Sequence, residues 1–99
     1  MARFDVYQNP NEQGYLLDVQ TDLLGDLNTR LVVPLMSSNK SPKPARRLNP
    51  IVKIKDESHV MVTQFMAAVP VPMLKEPVFN LSENAEEITN ALDMVFFGF

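Results

Sequence analysis

The chain has no cysteine among its 99 residues, which removes disulfides, thiolate metal sites and cysteine nucleophiles together and fits a reducing cytoplasm. A single histidine, His59, excludes a metal site built on two or more histidines. Only three glycines are present, Gly14, Gly25 and Gly98, too scattered for a phosphate-cradling loop or a nucleophile elbow. No stretch approaches the roughly 18 apolar residues of a membrane span, and Met1-Ala2-Arg3-Phe4-Asp5 lacks the apolar run of a secretory signal, so neither secretion nor a membrane is expected. Positive charge is also short: 9 Lys and Arg against 12 Asp and Glu give a net charge of −3. Such a chain gains little from a phosphate backbone, and autonomous nucleic-acid binding is not expected.

What is present suits one compact domain spanning 1–99, because 45% hydrophobic residues supply a core and the charge is too low for disorder. A domain of this size buries a limited share of its surface, which makes a dimer a natural further source of stability. Phe4-Asp5-Val6-Tyr7, the turn-rich Asn9 to Gly14 and Tyr15 to Gln20 predict a β-hairpin. Arg30 to Met36 is apolar enough for a mostly buried strand, with Pro34 expected at a bulge or an edge. Ser37 to Pro50, with four cations and no acid, reads as a solvated loop. Ile51 to Lys55, a turn at Asp56-Glu57-Ser58 and His59 to Gln64 predict a second hairpin. Met66 to Val69 follows, then an extended crossover imposed by Pro70-Val71-Pro72.

Beyond Asn80 the period changes from two to about 3.6. Leu81, Ala85, Ile88, Leu92 and Val95 form one stripe, with Glu83, Glu86, Glu87, Asn90 and Asp93 facing away, which predicts an amphipathic helix packed on the sheet. Asn80 with Glu83 resembles a capping box at its start. The expected class is therefore mainly β with a C-terminal α-helix, a small twisted sheet or barrel. The helix runs into Phe96-Phe97-Gly98-Phe99, three rings where most domains carry polar, frayed residues. Gly98 can take a left-handed turn and direct Phe99 off the axis. Phe96 is expected in the core, and Phe97 and Phe99 are expected at a contact with a partner. An arginine there would stack on a ring and pair with a terminal carboxylate.

No catalytic set stands out. Asp18, Asp22 and Asp26 lack the glycines and further oxygens of a calcium loop and read as turn and cap residues. An Arg/Asp/His ribonuclease would need Arg30, Asp22 and His59, which nothing in the sequence brings together. The chain reads as a non-enzyme that needs no cofactor. Leu23-Leu24, flanked by Asp22 and Gly25-Asp26, is an apolar pair in a polar connection and reads either as a loop plug or as a contact.

The ordered set Phe4-Asp5-Val6-Tyr7, Leu17-Asp18-Val19-Gln20-Thr21-Asp22-Leu23-Leu24, Arg30-Leu31-Val32-Val33-Pro34-Leu35, Met66-Ala67-Ala68-Val69-Pro70-Val71 and the terminal Phe-Phe-Gly-Phe resembles the CcdB family of bacterial toxins along nearly the whole chain. The resemblance implies an SH3-like barrel of the CcdB/MazF type with a C-terminal helix, assembled as a homodimer. It implies a cytoplasmic toxin of a type II toxin–antitoxin pair, of the kind used in plasmid maintenance. Such a toxin poisons DNA gyrase by binding the A subunit and trapping the cleaved DNA complex. It also implies a cognate antitoxin whose disordered segment folds on the toxin and neutralises it. Together the two repress their operon, so DNA is met only through that complex. The acidic helix and the basic loop 40–47 offer that antitoxin surfaces of opposite sign.

By position, the family's gyrase hook, a Trp-Gly-Ile tail, falls on Phe97, Gly98 and Phe99, flanked by Phe96, Val95 and Asp93; its apolar pair falls on Leu23 and Leu24. The chain departs from the family where Phe97 replaces tryptophan, Phe99 replaces a smaller aliphatic residue and Asp93 stands in place of asparagine. Two other readings stay open at this point. One is a CcdB-like fold that has lost gyrase poisoning and only binds antitoxin; the other is a messenger-RNA endoribonuclease of the MazF type, which shares the fold.

Overall fold

The computed structural model describes all residues 1–99. Seven strands form one nearly closed antiparallel sheet, β1 (Asp5–Gln8), β2 (Tyr15–Asp18), β3 (Thr29–Ser37), β4 (Ile51–Ile54), β5 (Glu57–Met61), β6 (Ala67–Pro70) and β7 (Phe79–Asn80), followed by helix α1 (Ala85–Phe97). Along the sheet the order is β4-β5-β3-β2-β1-β7, and β6 also pairs with β3. This is a small SH3-like barrel with a C-terminal helix.

The long strand β3 organises the barrel. One edge pairs with β2, from Tyr15 opposite Leu35 to Asp18 opposite Val32. The other edge is shared: Thr29 to Val32 pair with β6 and Leu35 to Ser37 pair with β5. Pro34 lies between those two partners, in the middle of a central strand, which corrects the expectation of a bulge or an edge. Its carbonyl accepts from the Val62 amide at 3.0 Å. Its missing N–H therefore faces the gap where the partner changes, and no regular ladder bond is lost.

Successive residues point to opposite faces of a strand, and here both faces are covered. Val6, Leu17 and Val33 enter the main core with Ile54, Met61, Leu81, Ile88, Ala91 and Leu92. Their neighbours Tyr7, Leu16 and Val32 form a second cluster with Leu74, against which Val69 packs. The 69–74 segment thus covers the face opposite to the helix. It does so as a 3-10 turn over Val71–Met73, not as the expected extended crossover, because the Leu74 amide bonds back to the Val71 carbonyl. Similarly, Thr63–Phe65 forms a 3-10 turn where a continuing strand was expected.

The helix also begins later than its sequence periodicity suggests. Asn80 does accept a hydrogen bond, from the Ser82 amide at 2.9 Å, but this starts a 3-10 turn over Ser82–Asn84 and not the helix. Asn84 occupies the helix N-cap without a side-chain cap bond, and the Asn80–Glu83 capping box does not form. The inward stripe is Ile88, Ala91 and Leu92. Val95, assigned to that stripe by period, is exposed, because the helix residues packed in the core stop at Leu92.

The β4–β5 turn is tighter than expected. Ile54 pairs with Glu57, leaving Lys55 and Asp56 as a two-residue loop in place of Asp56-Glu57-Ser58. Both have positive φ, 53° and 67°, the pattern of a type I′ turn that favours Asn-Gly. Left-handed backbone is costly for lysine. The double substitution Lys55→Asn, Asp56→Gly should raise unfolding stability by about 1 kcal/mol, read from urea melts; an unchanged or lower midpoint would refute the assigned strain.

Tyr7 is fully buried, and its hydroxyl has no protein partner. Burial above all, with the charges of Asp5 and Asp18, pushes its pKa up to about 12. A raised tyrosine pKa supplies stability that is complete below the unfolded value near 10 and is lost as pH climbs through the folded value. Tyr7→Phe should therefore remove the decline between pH 10 and 12. At neutral pH it should leave stability unchanged or about 1 kcal/mol higher, because an unpaired buried hydroxyl disappears. Thermal melts across that range provide the check.

Candidate partner-binding surface

The last turn of α1 leaves the barrel and presents its rings to solvent. Phe96, Phe97 and Phe99 are 64%, 68% and 77% exposed. The expectation that Phe96 fills the core is therefore wrong; it lies a full turn beyond Leu92, the last helix residue in the core cluster. The three rings instead form a continuous array. Phe96 and Phe97 have centroids 6.5 Å apart, and Phe97 and Phe99 lie at 6.4 Å with planes tilted by 33°. Gly98 turns the chain as foreseen, at φ 83°, with its amide bonded to the Met94 carbonyl. A left-handed C-cap of this kind takes the following residue off the helix axis. Asp93, one turn earlier, is half-buried. No basic residue lies in that last turn, so the array sits beside uncompensated negative charge and the negative end of the helix dipole.

A second apolar feature projects from the β2–β3 connection. A 3-10 turn over Asp22–Leu24 is capped by Thr21, whose side chain accepts from the Leu23 amide. Leu23 is 92% exposed and Leu24 about half so. Leu23 thus does not plug the barrel, and the turn is a knuckle that points an apolar side chain outward. The N-terminal segment braces it: the Arg3 amide donates to Asp22 Oδ1 at 2.9 Å and Arg3 Nε donates to the Val19 carbonyl at 3.2 Å. Phe4 holds a positive φ of 73°. Its amide bonds to the Asp18 carbonyl and its carbonyl receives the Leu81 amide; these bonds, with packing of its ring on the core, fix the strained conformation.

Beneath the knuckle lies a buried polar group that the sequence reading missed. Asp18, read as a turn residue, is completely buried and pairs with Arg30, itself 1% exposed. Arg30 Nε donates to Asp18 Oδ2 at 2.8 Å, and Nη2 stands 2.7 Å from the same oxygen without hydrogen-bond alignment. The other carboxylate oxygen is taken by the Gln20 amide at 3.0 Å. Burial raises the Asp18 carboxyl above its ordinary pKa, against the opposing pull of Arg30 and the Gln20 amide. The available signal was one charge of each sign in facing apolar strands, in an antiparallel register.

The ribonuclease set does not converge. Arg30 is sealed in its ion pair, while His59 pairs with Ser37 at the far end of β3. Seven residues of strand separate those positions, about 23 Å. His59 is buried, and its ring meets Tyr15 edge-on at 5.2 Å. Its Nδ1 lies 3.1 Å from the Glu57 carbonyl, which makes Nδ1 the protonated nitrogen. The imidazole borders a polar cavity of about 310 Å³ together with Gln8, Glu12, Gln13 and Lys40. Lys40 donates to Gln13, while Lys43, Arg46 and Arg47 stand in solvent. The exposed glutamates Glu83, Glu86 and Glu87 on the α1 side supply the opposite sign. No helix is long and apolar enough to cross a membrane.

The barrel thus carries two exposed apolar features, the knuckle at Leu23 and the aromatic helix end, with a buried ion pair beneath the first. The family model described as CcdB protein matches residues 3–98, and the chain belongs to the CcdB family. It is accordingly a toxin of the toxin–antitoxin class.

Proposed function

We propose that this toxin poisons DNA gyrase by docking on the A subunit and trapping the cleaved DNA complex. The observation that carries the reading is the solvent-facing array of Phe97 and Phe99 around the left-handed Gly98. Phe96, Val95 and Asp93 lie beside it, and Leu23 and Leu24 form the second contact. An arginine of the A subunit stacks on Phe97, and Asp93 supplies a carboxylate that such a cationic partner tolerates and an acidic one would not. The toxin acts as a homodimer in the cytoplasm. It is neutralised by a cognate antitoxin, meets DNA only within the autorepressing complex the two form, and serves plasmid maintenance. No step in this reading is catalysed by the toxin itself.

The test incubates the purified protein with gyrase, ATP and supercoiled plasmid, then adds detergent and protease and scores linear DNA. Protein-dependent linear DNA is the expected result. Its absence, with the protein folded, would overturn poisoning and leave the antitoxin-binding relative, in which the changes at Phe97, Phe99 and Asp93 have cost gyrase affinity. Specific cuts in RNA incubated with the protein alone would instead revive the endoribonuclease.

A further inference from the structure

All eight residues of the knuckle that carries Leu23 and Leu24, Thr21 to Asn28, are exposed, and its ends are tied down by the Arg3 amide on Asp22 Oδ1 and the Val71 amide on the Asn28 carbonyl, neither of which holds Leu23 and Leu24 themselves. An exposed segment of that length, containing Gly25, would sample many conformations unless something beneath held it. The buried side chain at its entry does so. Gln20 is 4% exposed. Its Nε2 donates to the Leu24 carbonyl at 2.9 Å, and its Oε1 accepts from the Leu31 amide at 3.1 Å. One amide therefore joins the entry of the connection, the end of the 3-10 turn and the strand where the chain re-enters the barrel.

The clamp is itself oriented from below. The Gln20 backbone N–H donates to Asp18 Oδ1, while Asp18 Oδ2 is held by Arg30. The Leu24 carbonyl also receives the Leu27 amide at 3.2 Å, so the bond from Gln20 fixes the point about which the rest of the knuckle folds. Only a side chain with a donor and an acceptor on one planar group serves both contacts, which selects Gln over Glu or Met at this length. We infer that Gln20 is a positioning residue for partner binding: it presets the direction of Leu23 and Leu24, so that the toxin docks without first ordering the segment that contains them. Preorganisation of this kind adds affinity by removing the ordering cost from the binding step.

The inference rests on the reading of the knuckle as a gyrase contact, and the test separates the two. Gln20→Met, Leu23→Ser/Leu24→Ser and the triple variant are compared for binding to the gyrase A subunit, with amide hydrogen exchange over 20–31 measured on each. Gln20→Met should speed exchange at the Leu31 amide and across 21–28 and weaken binding about tenfold. In the background lacking both leucines it should cause no further loss, because nothing remains to be positioned. If the tenfold loss persists in that background, or if Gln20→Met leaves exchange and affinity unchanged, the positioning role is wrong. If removing the leucines alone leaves binding intact, the contact reading of the knuckle falls and the inference with it. The exposed leucines report independently of folding, and exchange separates a loosened knuckle from an unfolded barrel.

Discussion

Removing Phe97, Gly98 and Phe99 should abolish protein-dependent DNA linearisation by gyrase while leaving the barrel folded. The two effects separate because the proposed contact lies outside the protein, while the tail contributes little to the core. Phe97 and Phe99 are about two-thirds or more exposed, and a Cβ built on Gly98 would meet nothing within 4 Å. Deletion costs the bond from the Gly98 amide to the Met94 carbonyl and some local ring packing. Unfolding stability should therefore fall by no more than about 1 kcal/mol, as for surface changes in general. Burying a phenylalanine side chain contributes about 1.5–3 kcal/mol. Losing two such contacts should weaken gyrase binding by at least about a hundredfold. Linear DNA yield, toxicity in cells and a circular-dichroism melt on the same protein read all three quantities. A truncated chain that still kills would remove the tail from the mechanism, and a truncated chain that no longer melts cooperatively would show that the array supports the fold after all.

The features legible in the sequence were those set by local rules. Alternating residues and turn chemistry identified both hairpins, and the change to a 3.6 period identified the helix. Gly98, followed by an aromatic residue, revealed a left-handed exit. The errors arose where tertiary contact overrode a local pattern. Pro34 would break a central strand in isolation, yet β3 has two partners on one edge, and the missing donor falls between them. Phe96 has the composition of a core residue, but the helix's packed residues end at Leu92. The stripe assigned Val95 inward for the same reason: period identifies a face without showing how far that face remains covered. Strand β7 has only two residues, too few for a periodic signal. Most of the polar network escaped detection because Asp18, Gln20 and Arg30 look like ordinary turn and strand-end residues. Their connection depends on the β2–β3 register, which aligns Asp18 with Val32 and brings Arg30 diagonally across.

That register makes Arg30 a residue whose loss should cost the fold heavily. Arg30→Met preserves much of the apolar stem while leaving the Asp18 carboxylate buried without its counter-ion. Breaking a buried pair from one side typically costs about 3–5 kcal/mol, a large share of the stability of a domain this size. The deficit should depend on pH in a fixed direction. Burial already raises the Asp18 carboxyl, and Arg30 opposes that rise; without the guanidinium the folded-state value climbs further above the unfolded one near 3.9. A raised carboxyl supplies stability that is complete below the unfolded value and lost as pH rises through the folded value. The gap between Arg30→Met and the parent protein should therefore be widest near pH 7 and shrink toward pH 4. Adding Asp18→Asn to Arg30→Met should restore much of the loss at neutral pH, because the asparagine removes the charge and keeps an oxygen for the Gln20 amide. Urea melts of the three proteins at pH 4, 5.5 and 7 provide the test. If Arg30→Met stays within about 1 kcal/mol of the parent at pH 7, the ion pair is not what supports the sheet beneath the knuckle. A pH-independent loss that Asp18→Asn fails to relieve would instead assign the cost to packing of the arginine stem.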